Sequence, residues 1–143
     1  MAVTYDYTGG TVVKTGTPYD GLNKFYVKEV TIDTKLYPAV VTDILQCIDI
    51  PLGTYVFNVF VEIVTPQGAT CTATVGDDSG AAYWDASTNL NAAAGTFTCG
   101  IGGTDSNVTT GKYYAAADTI DLVLGHSATI AVFKVKALCV DVS

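Results

Sequence analysis

The sequence predicts an all-β protein, an antiparallel β-sandwich or jelly-roll-like barrel with an extended N-terminal arm. Three observations carry this. Apolar residues alternate over short runs, Gly, Pro and Asn signals separate those runs, and no stretch of ten or more residues holds an apolar stripe at helical spacing. The 143 residues suit one domain, large enough to bury about 68% of its unfolded surface. The expected division is an arm over residues 1–20 and a single sandwich domain over residues 21–143.

Residues 1–20 are rich in Thr, Gly and Tyr without a sustained period. They read as an arm or irregular edge strand, either laid across a neighbouring subunit or loosely ordered. FYVKEVTID then places Tyr26, Lys28, Val30 and Ile32 on one face, with Phe25, Val27 and Glu29 on the other. LYPAVV breaks at Pro38, and DILQCIDI follows with Ile44, Ile48 and Ile50 expected on one face. Pro51 ends it and LGTY turns.

YVFNVFVEIV is the clearest strand: Tyr55, Phe57, Val59, Val61 and Ile63 alternate with Val56, Asn58, Phe60, Glu62 and Val64, so both faces are largely apolar. Pro66–Gly68 turns into ATCTATVG, which points Cys71, Ala73 and Val75 inward. Residues 76–111 are dominated by turn formers and read as a loop region with two short strands. TIDLVL sets Ile120, Leu122 and Leu124 against Thr119, Asp121 and Val123; GHSA turns into the final strand, TIAVFKVKALCVDV. The end of that strand is apolar on both faces, with Ala137 and Cys139 opposite Leu138, Val140 and Val142. Such a strand needs cover on both sides, and an exposed patch of that extent predicts an oligomer.

Composition narrows the function. Charged residues are 15% and hydrophobic residues 49%, so the surface is rich in Thr, Gly, Asn and Tyr, which suits packing against protein. The net charge is −7 with seven scattered lysines and no Arg, which argues against nucleic acid. No apolar run of membrane-spanning length occurs, and the N-terminus lacks the basic and apolar segments of a signal peptide, so folding in a cytoplasm is expected. Cys47, Cys71, Cys99 and Cys139 are far apart and lack metal or redox spacing; reduced core thiols are expected.

No chemical motif completes itself. The single His126 sits in the turn GHSA, with no nucleophile elbow or metal helix to support it. TTGKYY imitates the end of a P-loop, but Ser106 stands where its first Gly belongs and Tyr113 follows Lys112. It reads as a turn glycine and a surface lysine. Asp77, Asp78 and Asp85 share one loop and could hold Ca²⁺, yet their spacing fits no EF-hand and adjacent Asp residues favour turns. A carboxylate pair for glycoside cleavage has nothing to select it among fourteen acids. Asn107–Val108–Thr109 is a sequon without a secretory signal. No enzyme activity and no cofactor are expected. Tyr83, Trp84, Tyr113 and Tyr114 could stack on sugars, anchor a protein interface, or, for Trp84, close one end of the core.

Across residues 25–141 the chain resembles the head decoration, or cement, proteins of tailed phages. The likeness is carried by YPAVVTDILQCIDIPLGTYV, VEIVTPQGATCTATVGD, the WDASTNLNAAAGT loop, and GKYYAAADTIDLVLG with its closing V-x-A-x-x-V-D strand. The resemblance implies a non-enzymatic virion protein on the capsid exterior, often a homotrimer, whose partners are the major capsid protein and itself. It brings no catalytic residues. The interface candidates are Tyr5, Tyr7 and Tyr19 in the arm, Trp84, Tyr113 and Tyr114 in the aromatic segments, and Leu138, Val140 and Val142 at the end of the final strand. The alternative is a carbohydrate-binding or receptor-binding module of a fibre or tail.

Overall fold

Two sheets pack face to face, as the alternation predicts. The structure, a computed structural model, describes residues 2–8, 12–14, 24–98 and 110–142, with side chains omitted at 12–14 and 24. Its strands are β1 (Thr4–Asp6), β2 (Val12–Lys14), β3 (Lys24–Asp33), β4 (Ile44–Ile50), β5 (Thr54–Thr65), β6 (Thr72–Asp77), β7 (Gly80–Asn89), β8 (Phe97–Thr98), β9 (Lys112–Tyr114), β10 (Asp118–Leu124) and β11 (Val132–Asp141). No helix occurs among the described residues. One sheet has the order β1-β4-β10-β6-β7. The other has the order β2-β3-β11-β5-β8, with β9 pairing a second stretch of the same β5 edge. Neighbours are antiparallel except β1 and β4, which run parallel.

The core lies between the sheets. Ile32, Leu45, Val59, Val61, Ile63, Val75, Ile120, Leu122, Phe133 and Val135 form its centre, and Trp84 and Leu90 close it from β7 and the turn that follows. Cys47, Cys71 and Cys139 are reduced and buried in it, and burial raises each thiol pKa. Cys99 lies outside the described residues.

Two face assignments change, both through β-bulges. Opposite β10, Ile120 pairs with Ile48 but Asp121 pairs with Gln46, so Cys47 is the extra residue. Leu45 and Cys47 face the core before it, Ile48 and Ile50 after it, and Ile44 is only half-buried. In β5 the extra residue is Phe57: Leu138 pairs with Asn58 while Cys139 pairs with Val56. Val56 therefore points inward, Phe57 is thrown to the surface, and Val59, Val61 and Ile63 resume the core face. A bulge shifts the parity of every later residue, which strict alternation cannot anticipate.

Residues 76–111, read as a loop region with two short strands, hold strands at both expected places, β7 and β8, but β7 is ten residues long and forms a tight hairpin with β6 through Asp78 and Ser79. Its register shifts twice, so only Trp84 and Thr88 are buried and no alternation shows. Gly76 allows the hairpin to close, because a Cβ there would lie 2.1 Å from the Gly80 carbonyl oxygen.

One side-chain amide gathers three N–H groups of the segment between β10 and β11. The buried Gln67 accepts, at Oε1, hydrogen bonds from the N–H groups of Thr129, Ile130 and Ala131, each 3.0 Å long. Gln67→Ala removes the acceptor of three N–H groups, and a loss of about 1–3 kcal/mol is expected. Urea unfolding measures it, and Gln67→Glu, which keeps an acceptor, is expected to lose less.

Candidate functional site: the outer face of the second sheet

The outer face of β3, β11 and β5 divides into an uncharged end and a charge-paired band. At the uncharged end Val140 pairs with Phe25 on one side and Tyr55 on the other, and Tyr55 pairs with Tyr113 of β9. The Phe25 and Phe57 rings stack at 5.8 Å across β11, and the Tyr55 ring meets Phe57 edge-on at 5.0 Å. Val140, only 4% exposed, is buried outside the inner core, as expected beneath these rings. The rings themselves face water: Phe25 is 52% exposed, Phe57 41% and Tyr113 52%. In the band, Lys134 pairs with Glu29 at 3.5 Å and Lys136 with Glu62 at 3.3 Å, while the Lys136 ammonium also lies 5.5 Å from the exposed Phe97 ring.

Gly111 lets this end form. Its φ of +71° suits glycine, and a Cβ would lie 2.7 Å from the Tyr55 ring and 2.8 Å from the Val56 carbonyl oxygen. Tyr55 in turn donates its hydroxyl to the Thr110 carbonyl.

The sequence-predicted residues separate into three groups. Tyr113, Leu138, Val140 and Val142 belong to this face or its margin, with Leu138 half-buried and Tyr113 and Val142 exposed. Tyr5 and Tyr7 pack partly against the core, in and just after β1, and the Tyr5 hydroxyl donates to the Pro38 carbonyl at 3.1 Å. Trp84 and Tyr114 are buried, so neither ring reaches the surface. Trp84 takes the core-closing role, and the carbohydrate alternative loses it as a platform. Tyr19 and the sequon lie outside the described residues. Sequence reasoning did not single out Phe25 and Phe57, because only the bulge turns Phe57 outward beside Phe25.

It also missed a second apolar surface. The loop between β3 and β4 exposes Leu36, Tyr37, Val40 and Val41. Thr34 N–H bonds the Ala131 carbonyl at 3.0 Å, Ala39 and Ala128 bridge each other, and the buried Asp43 accepts from the N–H groups of Val40 at 2.8 Å and Val3 at 2.9 Å. An apolar run broken by Pro38 between two strands was the available signal.

Lys112 is not a free surface lysine. It pairs with the fully buried Asp77 carboxylate at 2.6 Å and with Ser79 Oγ at 2.9 Å. Tyr114 donates to the same carboxylate at 2.7 Å, and the Trp84 indole N–H donates to the Tyr114 oxygen at 3.3 Å. Burial first, then the Asp77 hydrogen bond, pushes the Tyr114 pKa up, so the phenol stays protonated. Asp85 is engaged by the Ser87 N–H and the Thr88 hydroxyl. These aspartates brace the β6–β7 hairpin, and no cluster of three metal-ligating side chains occurs among the described residues. His126 is exposed, with its Nδ1 3.1 Å from Thr72 Oγ1.

No protein-family model and no curated protein matches this sequence. Three solved structures share its fold. A chain of the capsid of Ralstonia phage GP4 is 15% identical, with 100% of this chain and 99% of that one covered and a TM-score of 0.63. A chain of the acid-stable capsid of Helicobacter pylori bacteriophage KHP30 is 11% identical over 93% and 95% of the two chains, with a TM-score of 0.61. A chain of the capsid asymmetric unit of cyanophage Pam1 is 16% identical over 90% and 91%, with a TM-score of 0.55. At these identities the likeness establishes the fold, and it does so over nearly the whole of each chain.

Two substitutions test the polar network. Asp77→Ala strands the Lys112 ammonium and the Tyr114 hydroxyl, and a loss of about 2–3 kcal/mol is expected because Lys112 still reaches water. Chemical denaturation checks it, and Tyr114→Phe is expected to cost about 1 kcal/mol. Asp121 supplies a pH test. Burial, reinforced by Asp78, Asp118 and Asp77, raises its pKa from 3.8 to about 6. The folded carboxyl thus keeps a proton that the unfolded one has lost, and its stabilising effect is present below the unfolded value and lost as pH rises through 6. Asp121→Asn is therefore expected to raise stability at pH 7 by about 1 kcal/mol, after screening of this half-exposed group. At pH 3.5 the difference is expected to vanish.

Proposed function

We propose that this chain is a virion structural protein of the capsid-decoration class. It binds the outside of a phage head lattice through the major capsid protein, associates with copies of itself, and stabilises the shell without turning over a substrate. The observation that carries this reading is the fold shared end to end with chains from three phage capsids, at 90–100% coverage of this chain. The surface supports it: a sheet face of stacked aromatic rings and a pinned apolar loop are both set up for contact with protein. Many such contacts repeated over a lattice replace single-site affinity with avidity. A pre-ordered loop and a rigid sheet also lose little conformational freedom when they dock.

Quantitative mass spectrometry of purified particles of the encoding phage tests the proposal. The chain is expected in a fixed, simple ratio to the major capsid protein, and labelled by a surface reagent that does not enter the head. Absence from the particles, or a trace amount unrelated to the shell, overturns it.

A further inference from the structure

We infer that the outer face of β3, β11 and β5 is the surface on which this chain binds a second copy of itself. The inference rests on the reading of the chain as an assembling structural protein and assigns one of its partners to one face.

Charge selects the occupant. The chain carries a net charge of −7, so two copies repel over most of their surfaces. The outer face is different. Among the described side chains its charges, Glu29, Glu62, Lys134 and Lys136, sum to zero and already pair within the sheet. The uncharged end offers Phe25, Tyr55, Phe57 and Tyr113. A strongly charged partner has nothing to engage there, whereas an identical neutral and apolar face does. A self-contact of the isologous kind sets a patch against itself, and a patch whose charges already cancel meets its own copy without net repulsion.

Size and shape agree. β3 and β11 each run ten residues, which is about 33 Å at ~3.3 Å per residue. With β5 and the β8/β9 column, four strands span about 19 Å. The face is then roughly 630 Å² in projection, comparable with the ~800 Å² each partner contributes to a stable interface.

Sedimentation velocity and light scattering on the full chain, at about 100 μM and well above ordinary micromolar dissociation constants, test this directly. The wild type is expected at a multiple of 14.9 kDa. The complex should persist in 1 M salt, where the Debye length is only ~3 Å. Phe25→Glu and Phe57→Glu, each at an exposed ring, are expected to shift the chain to 14.9 kDa while circular dichroism and melting show it folded. Val142→Lys, beyond the end of β11, provides a variant remote from the core. Leu36→Glu, on the loop, is expected to leave the mass unchanged. A monomeric wild type overturns the inference, as does an oligomer that the three face variants leave intact. An oligomer that forms by this face yet binds no phage head counts against the capsid role alone, and a monomer that binds heads counts against the interface alone.

Discussion

Strand β11 is the element on which the rest of the molecule depends. It is hydrogen-bonded along its whole length to β3 on one edge and β5 on the other, and both pairings run from Val132 to Asp141. Its inward side chains, Phe133, Val135, Ala137 and Cys139, are fully buried against the opposite sheet. Its outward side carries Lys134, Lys136, Leu138 and Val140. Its charged half is neutralised by Glu29 and Glu62, while its apolar half needs cover. The chain answers with a small second cluster on the outside, where Phe25 and Phe57 meet over the strand. That outer cluster is incomplete, since its rings stay about half exposed, and a partner laid on this face would complete it.

Much of this was legible in the sequence. The inward sets Ile120, Leu122, Leu124 and Phe133, Val135 followed from alternation, as did the two-sided end of β11. TTGKYY imitates the end of a P-loop, and its failed spacing is enough to reject that. In the structure it supplies β9, and Ala115 and Ala116 then bend the chain into β10. What was not legible has particular causes. The bulges at Cys47 and Phe57 are set by the partner strand's register, not by local residues. β7 was hidden because its register slips twice and it lies at a sheet edge, where polar and small residues are tolerated.

The polar braces were hidden for a different reason. Gln67 meets Thr129, Ile130 and Ala131, Asp43 meets Val3, and Asp77 meets Lys112 and Tyr114, each across 35 or more positions of sequence. Nothing local marks a glutamine as the acceptor for a distant turn. Buried polar groups must find partners, but which partner is decided only when the sheets stack. The candidate face has the same character. Phe25, Tyr55, Phe57 and Val140 lie on three strands and become one surface only through pairing on β11.

We propose, centrally, that the fold shared with phage capsid chains serves in a shell component whose outer sheet face is covered by a second copy. An electron cryomicroscopy reconstruction of the encoding phage's head tests it most directly. This sandwich is expected on the outer surface of the shell, with the Phe25–Phe57 stack packed against another copy of the chain. A head whose surface lacks the sandwich, or one in which that stack faces open solvent, would contradict it.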